Sequence, residues 1–275
     1  MIFESVMAFI AGLLIGSFLN VCIFRMPRDL SVMWPRSFCP ECEHQIAWYD
    51  NVPILSYFVL RRRCRHCGKL IPARYLIVEI LTAILFFAVV TALGLTLVAA
   101  KLCLLVALLV GLTFADLEER ILPDEFTLGG TAVGLVLAWF IPVDDVIAHA
   151  IFSLQRIDVD PRWMSVGESL LGVLVPSGFL WLGGVIFEKV RHKPGLGLGD
   201  VKMIAMIGAF LGLRATLLTL IVGSIAGSVI GLIYIQLTKK DASSYELPFG
   251  TFLGFAGIFV ALAGQKVIHW YLGFL

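Results

Sequence analysis

Gly195-Leu196-Gly197-Leu198-Gly199-Asp200 leads straight into VKMIAMIGAFLG, the apolar run Val201 to Gly212. A carboxylate in that place stands at the edge of a hydrocarbon core. Insertion scales put an acid at a helix centre at roughly 2.5–3.5 kcal/mol, and less near an end. The same arrangement closes VAAKLCLLVALLVGLTFA, Val98 to Ala115, which ends on Asp116. A single such aspartate reads as an ordinary interfacial helix end. Two of them, one fenced by glycines, imply acids held at a membrane face for chemistry.

Composition agrees with a bilayer as solvent. The chain of 275 residues is 59% hydrophobic and 15% charged, where a soluble domain carries about 25% charge. The formal net charge of +1 argues against a nucleic-acid partner, since no part is strongly basic as a whole. Glu4 and the lack of a basic segment before the first apolar run argue against a signal peptide, and Arg25 and Arg28 follow that run. The expected fold is an all-α polytopic membrane protein with about eight transmembrane helices. The runs are Ser5–Phe24, Tyr75–Leu93, Val98–Ala115, Phe126–Ile141, Gly167–Phe187, Val201–Leu213, Ala215–Leu237 and Phe249–Tyr271. The fourth and sixth are short for a span.

Charge orients these runs. With the N-terminus outside, all but Lys101, Arg156, Arg162, Arg214 and Lys266 of the 21 lysines and arginines fall on inner segments. The positive-inside rule favours that orientation, and it sets Asp116 and Asp200 on one cytoplasmic face. Three parts follow: residues 1–24 as the first span, 25–74 as a cytoplasmic insert, and 75–275 as a seven-helix domain. Pro142–Val166 on the outer side is expected to be an amphipathic or irregular connection. No internal repeat stands out.

The insert carries the strongest metal signal. Cys39-Pro40-Glu41-Cys42 is followed, after 21 residues, by Cys64-Arg65-His66-Cys67. Two C-x-x-C knuckles at nearly the usual spacing of about 15–20 fit a tetrahedral four-thiolate structural zinc site. A thioredoxin-type redox pair is the rival, but it lacks a βαβ context and needs no duplicate. His44 and His66 are possible substitute ligands. Cys22 and Cys103 lie within apolar spans and read as packing residues.

The carboxylate pair carries the sharper chemistry. Two aspartates sharing a proton hydrolyse an amide without metal: the ionised one activates water, and the protonated one polarises the carbonyl. Asp116 has rivals for that role in Glu118, Glu119, Asp124 and Glu125. Gly197 and Gly199 would let backbone approach Asp200 or an extended substrate.

Asp116-Leu117-Glu118-Glu119-Arg120-Ile121-Leu122-Pro123-Asp124 and Gly197-Leu198-Gly199-Asp200-Val201-Lys202 together resemble the bacterial type IV prepilin peptidases, which are GxGD aspartyl proteases. Further matches run in order along nearly the whole chain. They are Gly16-Ser17-Phe18-Leu19-Asn20-Val21 with Arg25 and Pro27, the double cysteine knuckle, Asn51-Val52-Pro53, Arg74-Tyr75 with Glu79, and Pro248-Phe249-Gly250. The resemblance implies that Asp116 and Asp200 are catalytic, and that the protein is a multi-pass protein of the bacterial inner membrane with its active site facing the cytoplasm. It implies substrates too: prepilins of type IV pili or pseudopilins of type II secretion, whose basic leader is removed. It also implies N-methylation of the new terminus with S-adenosylmethionine. The acids Glu118, Glu119, Asp124 and Glu125 could meet that leader or form a solvated loop. No Rossmann fingerprint marks a donor pocket, so the cofactor-binding residues stay open. Many relatives carry a glycine and a basic residue before the third cysteine; here Arg62-Arg63 precede Cys64. That departure leaves a peptidase without methyltransferase activity as one alternative. A zinc-linked transporter and a preflagellin-type peptidase are the others.

Overall fold

Backbone in hydrocarbon must satisfy its own N–H and C=O groups, so the apolar runs fold as helices. The computed structural model describes residues 2–143, 147–148, 160–192, 197–238 and 248–273. Along them run α1 (Ile2–Arg25), α2 (Leu55–Val59), α3 (Ala73–Leu93), α4 (Leu97–Glu119) and α5 (Asp124–Phe140). α6 (Pro161–Arg191), α7 (Leu198–Thr238) and α8 (Phe249–Leu272) complete the series. Two 3-10 turns, Met26–Arg28 and Trp48–Asn51, interrupt the insert. Among the described residues the only β pairing is two isolated bridges, so the all-α expectation holds.

Among the described residues, six helices are long and apolar enough to cross a membrane: α1, α3, α4, α6, α7 and α8. The expected eight are not reached by length and composition, for two reasons. α5 has 17 residues, about 26 Å of helix against a hydrocarbon core of roughly 30 Å. α7, at 41 residues, takes up both the sixth and seventh expected runs. The turn expected at Leu213-Arg214 is a break at Gly212 (φ 77°, ψ 179°), after which the helix resumes at once. α6 begins earlier than the expected run Gly167–Phe187, because Pro161–Val166 already belongs to the helix. Asp160 caps that helix by accepting the Arg162 N–H at 2.8 Å. Asp144, Asp145 and Asp158 lie outside the described residues, as do Gly195 and Leu196 of the glycine string.

The chain divides into two compact units, Met1–Ala115 and Asp116–Leu275. In the first, α1 and α3 pack with their backbones nearly touching. A Cβ built on Gly12 would stand 2.7 Å from Ala83 Cα, and one on Gly16 would stand 2.7 Å from Glu79 Cα. Small residues permit such approach where lipid offers no hydrophobic drive for helices to associate. Polar bonds then fix the register. The Asn20 amide donates to the Tyr75 carbonyl at 3.0 Å, and the Thr91 hydroxyl meets Ser5 at 2.9 Å. Glu79 reaches out of α3 to accept the Ile54 N–H at 2.8 Å, which anchors the insert.

The second unit uses the same device. A Cβ on Gly172 of α6 would lie 2.6 Å from the Gly208 carbonyl of α7. One on Gly134 of α5 would lie 2.8 Å from Ala209 Cβ. α7 therefore forms the spine of this unit, with α5, α6 and α8 against it.

Candidate functional site

Asp116 lies in the last turn of α4 and is buried, 6% exposed. Two donors converge on its Oδ2. The backbone N–H of Thr251 is at 2.6 Å, and the Thr251 hydroxyl is at 2.8 Å. Thr251 belongs to the first turn of α8, where N–H groups have no helical acceptor and are free to bind a carboxylate. Gly250 makes this possible. A Cβ there would stand 3.1 Å from Asp116 Cγ and 3.0 Å from Leu122 Cδ1. The turn that Pro248-Phe249-Gly250 opens is thus the seat of the first aspartate.

Asp200 occupies the first turn of α7, and its N–H donates to the Gly197 carbonyl at 3.1 Å. It is half-buried, and the charge of Asp116 acts on it. The two glycines beside it differ. A Cβ on Gly199 would press Leu122 at 3.1 Å, so that glycine lets the α4–α5 turn pack on α7. A Cβ on Gly197 would lie 3.5 Å from Asp200 Oδ2, an ordinary contact distance, so Gly197 borders the carboxylate without being required by packing. Leu122 touches the positions of both Gly199 and Gly250, and it spaces the start of α7 from the start of α8.

The other acids are disposed differently. Asp124 is exposed and binds Lys202 Nζ with both oxygens, at 2.7 and 2.9 Å, which joins the first turns of α5 and α7. Glu118 and Glu125 are exposed and Glu119 half-exposed. None of these has the buried, doubly donated setting of Asp116. Sequence reasoning missed Thr251, although it marked the three residues before it. The signal was the helix start itself, since an unpaired N–H beside a glycine is a place for a carboxylate.

In the first unit, the sulfurs of Cys39, Cys42, Cys64 and Cys67 all lie within 4.8 Å of one another, with Cys39 and Cys67 at 3.9 Å. A zinc ion at the usual ~2.3 Å from each sulfur requires S–S edges of about 3.8 Å, so the donor set fits tetrahedral zinc. His44 and His66 do not join it; their rings stack on each other with centroids 3.4 Å apart. The two knuckles also repeat each other, which the sequence alone did not reveal. The Glu43 N–H returns to the Cys39 carbonyl, and the Gly68 N–H to the Cys64 carbonyl. Glu43 and Gly68 share a left-handed backbone (φ 55° and 71°), and bridges Phe38–Gln45 and Arg63–Leu70 close the two turns. The Cys67 N–H directed at Cys64 lowers that thiol to about 7, while Cys42 of the same cluster is raised to about 11, so the close thiols compete for protons. Arg65 holds Asp50 in a two-pronged ion pair at 2.6 and 2.7 Å and keeps its carboxyl below the usual range. Arg62 adopts a left-handed backbone (φ 61°), with its cation 5.9 Å from the Tyr57 ring centre. Beside α1 a cleft of about 340 Å³ is lined in part by Ser17, Phe18, Arg36, Asn51 and Pro53.

Comparison with known proteins follows this geometry. Residues 10–93 match the bacterial peptidase A24 N-terminal domain, and residues 102–232 match the type IV leader peptidase family. A prepilin leader peptidase/N-methyltransferase of Aeromonas hydrophila is 34% identical, over 97% of this chain and 93% of the relative. The chain belongs to the type IV leader peptidase family. A like-named protein of Pseudomonas putida is 30% identical, over 95% of this chain and 91% of its own length. One from Myxococcus xanthus is 39% identical over 88% of this chain, which spans 66% of that relative. No solved structure matches the chain. The two family matches part between residues 93 and 102, so the cysteine knuckles fall in one and both aspartates in the other.

Proposed function

We propose that this protein is a membrane aspartyl endopeptidase that removes the basic leader from type IV prepilins or type II secretion pseudopilins, and then methylates the new terminus. The observation that carries the peptidase reading is the seating of Asp116 under two Thr251 donors with the half-buried Asp200 within reach of its charge. The two Thr251 donors fix the Asp116 carboxylate in place, and the reading makes Asp116 the base that takes a proton from water. Asp200 then holds the shared proton, donates a hydrogen bond to the scissile carbonyl, and a proton passes to the departing amine. No metal enters this step.

The reading places both aspartates at the cytoplasmic face of the bacterial inner membrane, as the distribution of lysine and arginine supports. A prepilin suits that face. Its apolar helix enters from the bilayer, and its basic leader meets the acidic cluster of Glu118, Glu119, Asp124 and Glu125. The four cysteines hold one structural zinc, which fixes the two knuckles in an insert with few buried apolar residues.

Methyl transfer is assigned to the first unit. S-adenosylmethionine supplies the methyl group on a sulfonium. The cleft beside α1 offers groups of the kinds its other parts need: cationic Arg36 for a carboxylate, Phe18 and Pro53 for an adenine, Ser17 and Asn51 as hydrogen-bonding partners. Arg62 adopts the left-handed backbone that glycine favours, so an arginine there is compatible with the two-activity enzyme. The deciding experiment incubates the membrane-embedded protein with a prepilin and S-adenosylmethionine and resolves product masses. Loss of the leader plus one methyl group is expected. An uncut prepilin would refute the reading.

A further inference from the structure

Glu168 is fully buried within α6, one of the six candidate spans, and the peptidase mechanism does not use it. An ionisable residue at such depth is retained for a reason that its partners reveal. Its carboxylate accepts the N–H of Ala148 at 2.9 Å and that of Leu213 at 3.2 Å. The second is the informative one. Leu213 directly follows Gly212, where α7 leaves helical geometry, so its N–H is set free by the break. The next residue of α6 serves the other side of the break: the Ser169 hydroxyl donates to the Ala209 carbonyl at 2.7 Å. A Cβ on Gly212 would strike Glu168 Cγ at 3.0 Å and Val143 Cγ1 at 2.9 Å, and its φ of 77° is poorly suited to other residues.

We propose that Glu168 and Ser169 form a clamp that fixes the bend of α7 at Gly212 and thereby aims Asp200. This rests on the catalytic reading of Asp200 and makes Glu168 a positioning residue for the peptidase reaction. The segment from Asp200 to Gly212 is a lever of about 18 Å at 1.5 Å per residue. A tilt of about 5° at the break displaces Asp200 by about 1.6 Å, and misplacement near 1 Å can lower a rate by roughly 100-fold. The rest of the lever is held by packing of the buried Met203, Ile204, Met206, Ile207 and Phe210 and by the exposed Lys202–Asp124 pair, so the clamp sets the angle of a helix that its neighbours also hold.

The test uses full-length protein in nanodiscs with Glu168→Gln and Ser169→Ala. Glutamine keeps the shape but turns an NH2 group toward one of the two N–H donors, so one bond is lost. The clamp predicts a kcat for prepilin cleavage, per folded molecule, reduced roughly 10–100-fold in Glu168→Gln, with KM within about twofold. Ser169→Ala should fall in the same direction by several-fold. Amide exchange should rise across Leu198–Leu211 and stay unchanged in α8. A merely structural role would lower the folded yield but leave kcat per folded molecule at the wild-type value, and that result overturns the proposal. Unchanged exchange across Leu198–Leu211 overturns it as well. If Glu168→Gln does not fold, Ser169→Ala decides by the same two readouts. A wild type that cleaves no prepilin would sink the peptidase reading, and the exchange comparison would still decide the clamp.

Discussion

Thr251→Val is the most direct probe of the proposed active site, because it removes one O–H donor and keeps the side-chain shape. The hydroxyl lies 2.8 Å from Asp116 Oδ2, while the backbone N–H at 2.6 Å survives the change. A hydrogen bond to a charged group contributes about 1.5–3 kcal/mol. Thr251 is 5% exposed and Asp116 6%, so little water is at hand to replace the lost donor. At about 1.4 kcal/mol per tenfold, kcat/KM for prepilin cleavage should fall roughly 10–150-fold. Thr251→Ser keeps the donor and should lose only a few-fold. Thr219→Val is the matched control. Its hydroxyl is also in a buried residue, but it bonds to Ala215 of its own helix and should be near neutral. Leader release is followed by mass spectrometry at several prepilin concentrations. A Thr251→Val enzyme within twofold of wild type would show that the hydroxyl does not support a working carboxylate, and the base would have to be sought among Glu118, Glu119 and Asp124.

Asp116→Asn and Asp200→Asn should each abolish cleavage while the protein stays folded, since an amide cannot carry the shared proton; substantial turnover by either refutes the pair. EDTA should leave cleavage intact over minutes. Elemental analysis of protein purified without chelator should give close to one zinc per chain, and Cys39→Ser or Cys64→Ser should lower both that ratio and methyl transfer more than cleavage; a metal-free wild type would refute the site. Arg62→Gly should leave methyl transfer unchanged, because the left-handed turn is already formed; a large rise would mean that the glycine of relatives serves more than the turn. Arg36→Ala should weaken binding of S-adenosylhomocysteine, measured by equilibrium dialysis, without changing leader removal; undiminished binding would move the donor out of the cleft beside α1.

What could be read from the sequence was whatever one short segment announces by itself. Asp116 and Asp200 are visible because each stands where an apolar run stops, and the cysteines because each knuckle is complete within four residues. Thr251 was not visible, since its meaning depends on Asp116, 135 positions away, being brought to the first turn of α8. The break in α7 was nearly visible: the apolar runs were divided at Leu213-Arg214, one residue beyond Gly212, but nothing local said that the helix resumes without a loop. Glu168 is the instructive omission. It stands one residue inside the run Gly167–Phe187, so the cost argument that singled out Asp116 applied to it with equal force. An acid at the end of a span can be solvated, whereas a fully buried one must be answered by donors. The donors here are N–H groups of Ala148 and of Leu213, the residue after the break. A carboxylate inside an apolar run is therefore a sign of broken backbone elsewhere in the fold, and in this chain the broken backbone is in the helix that carries Asp200.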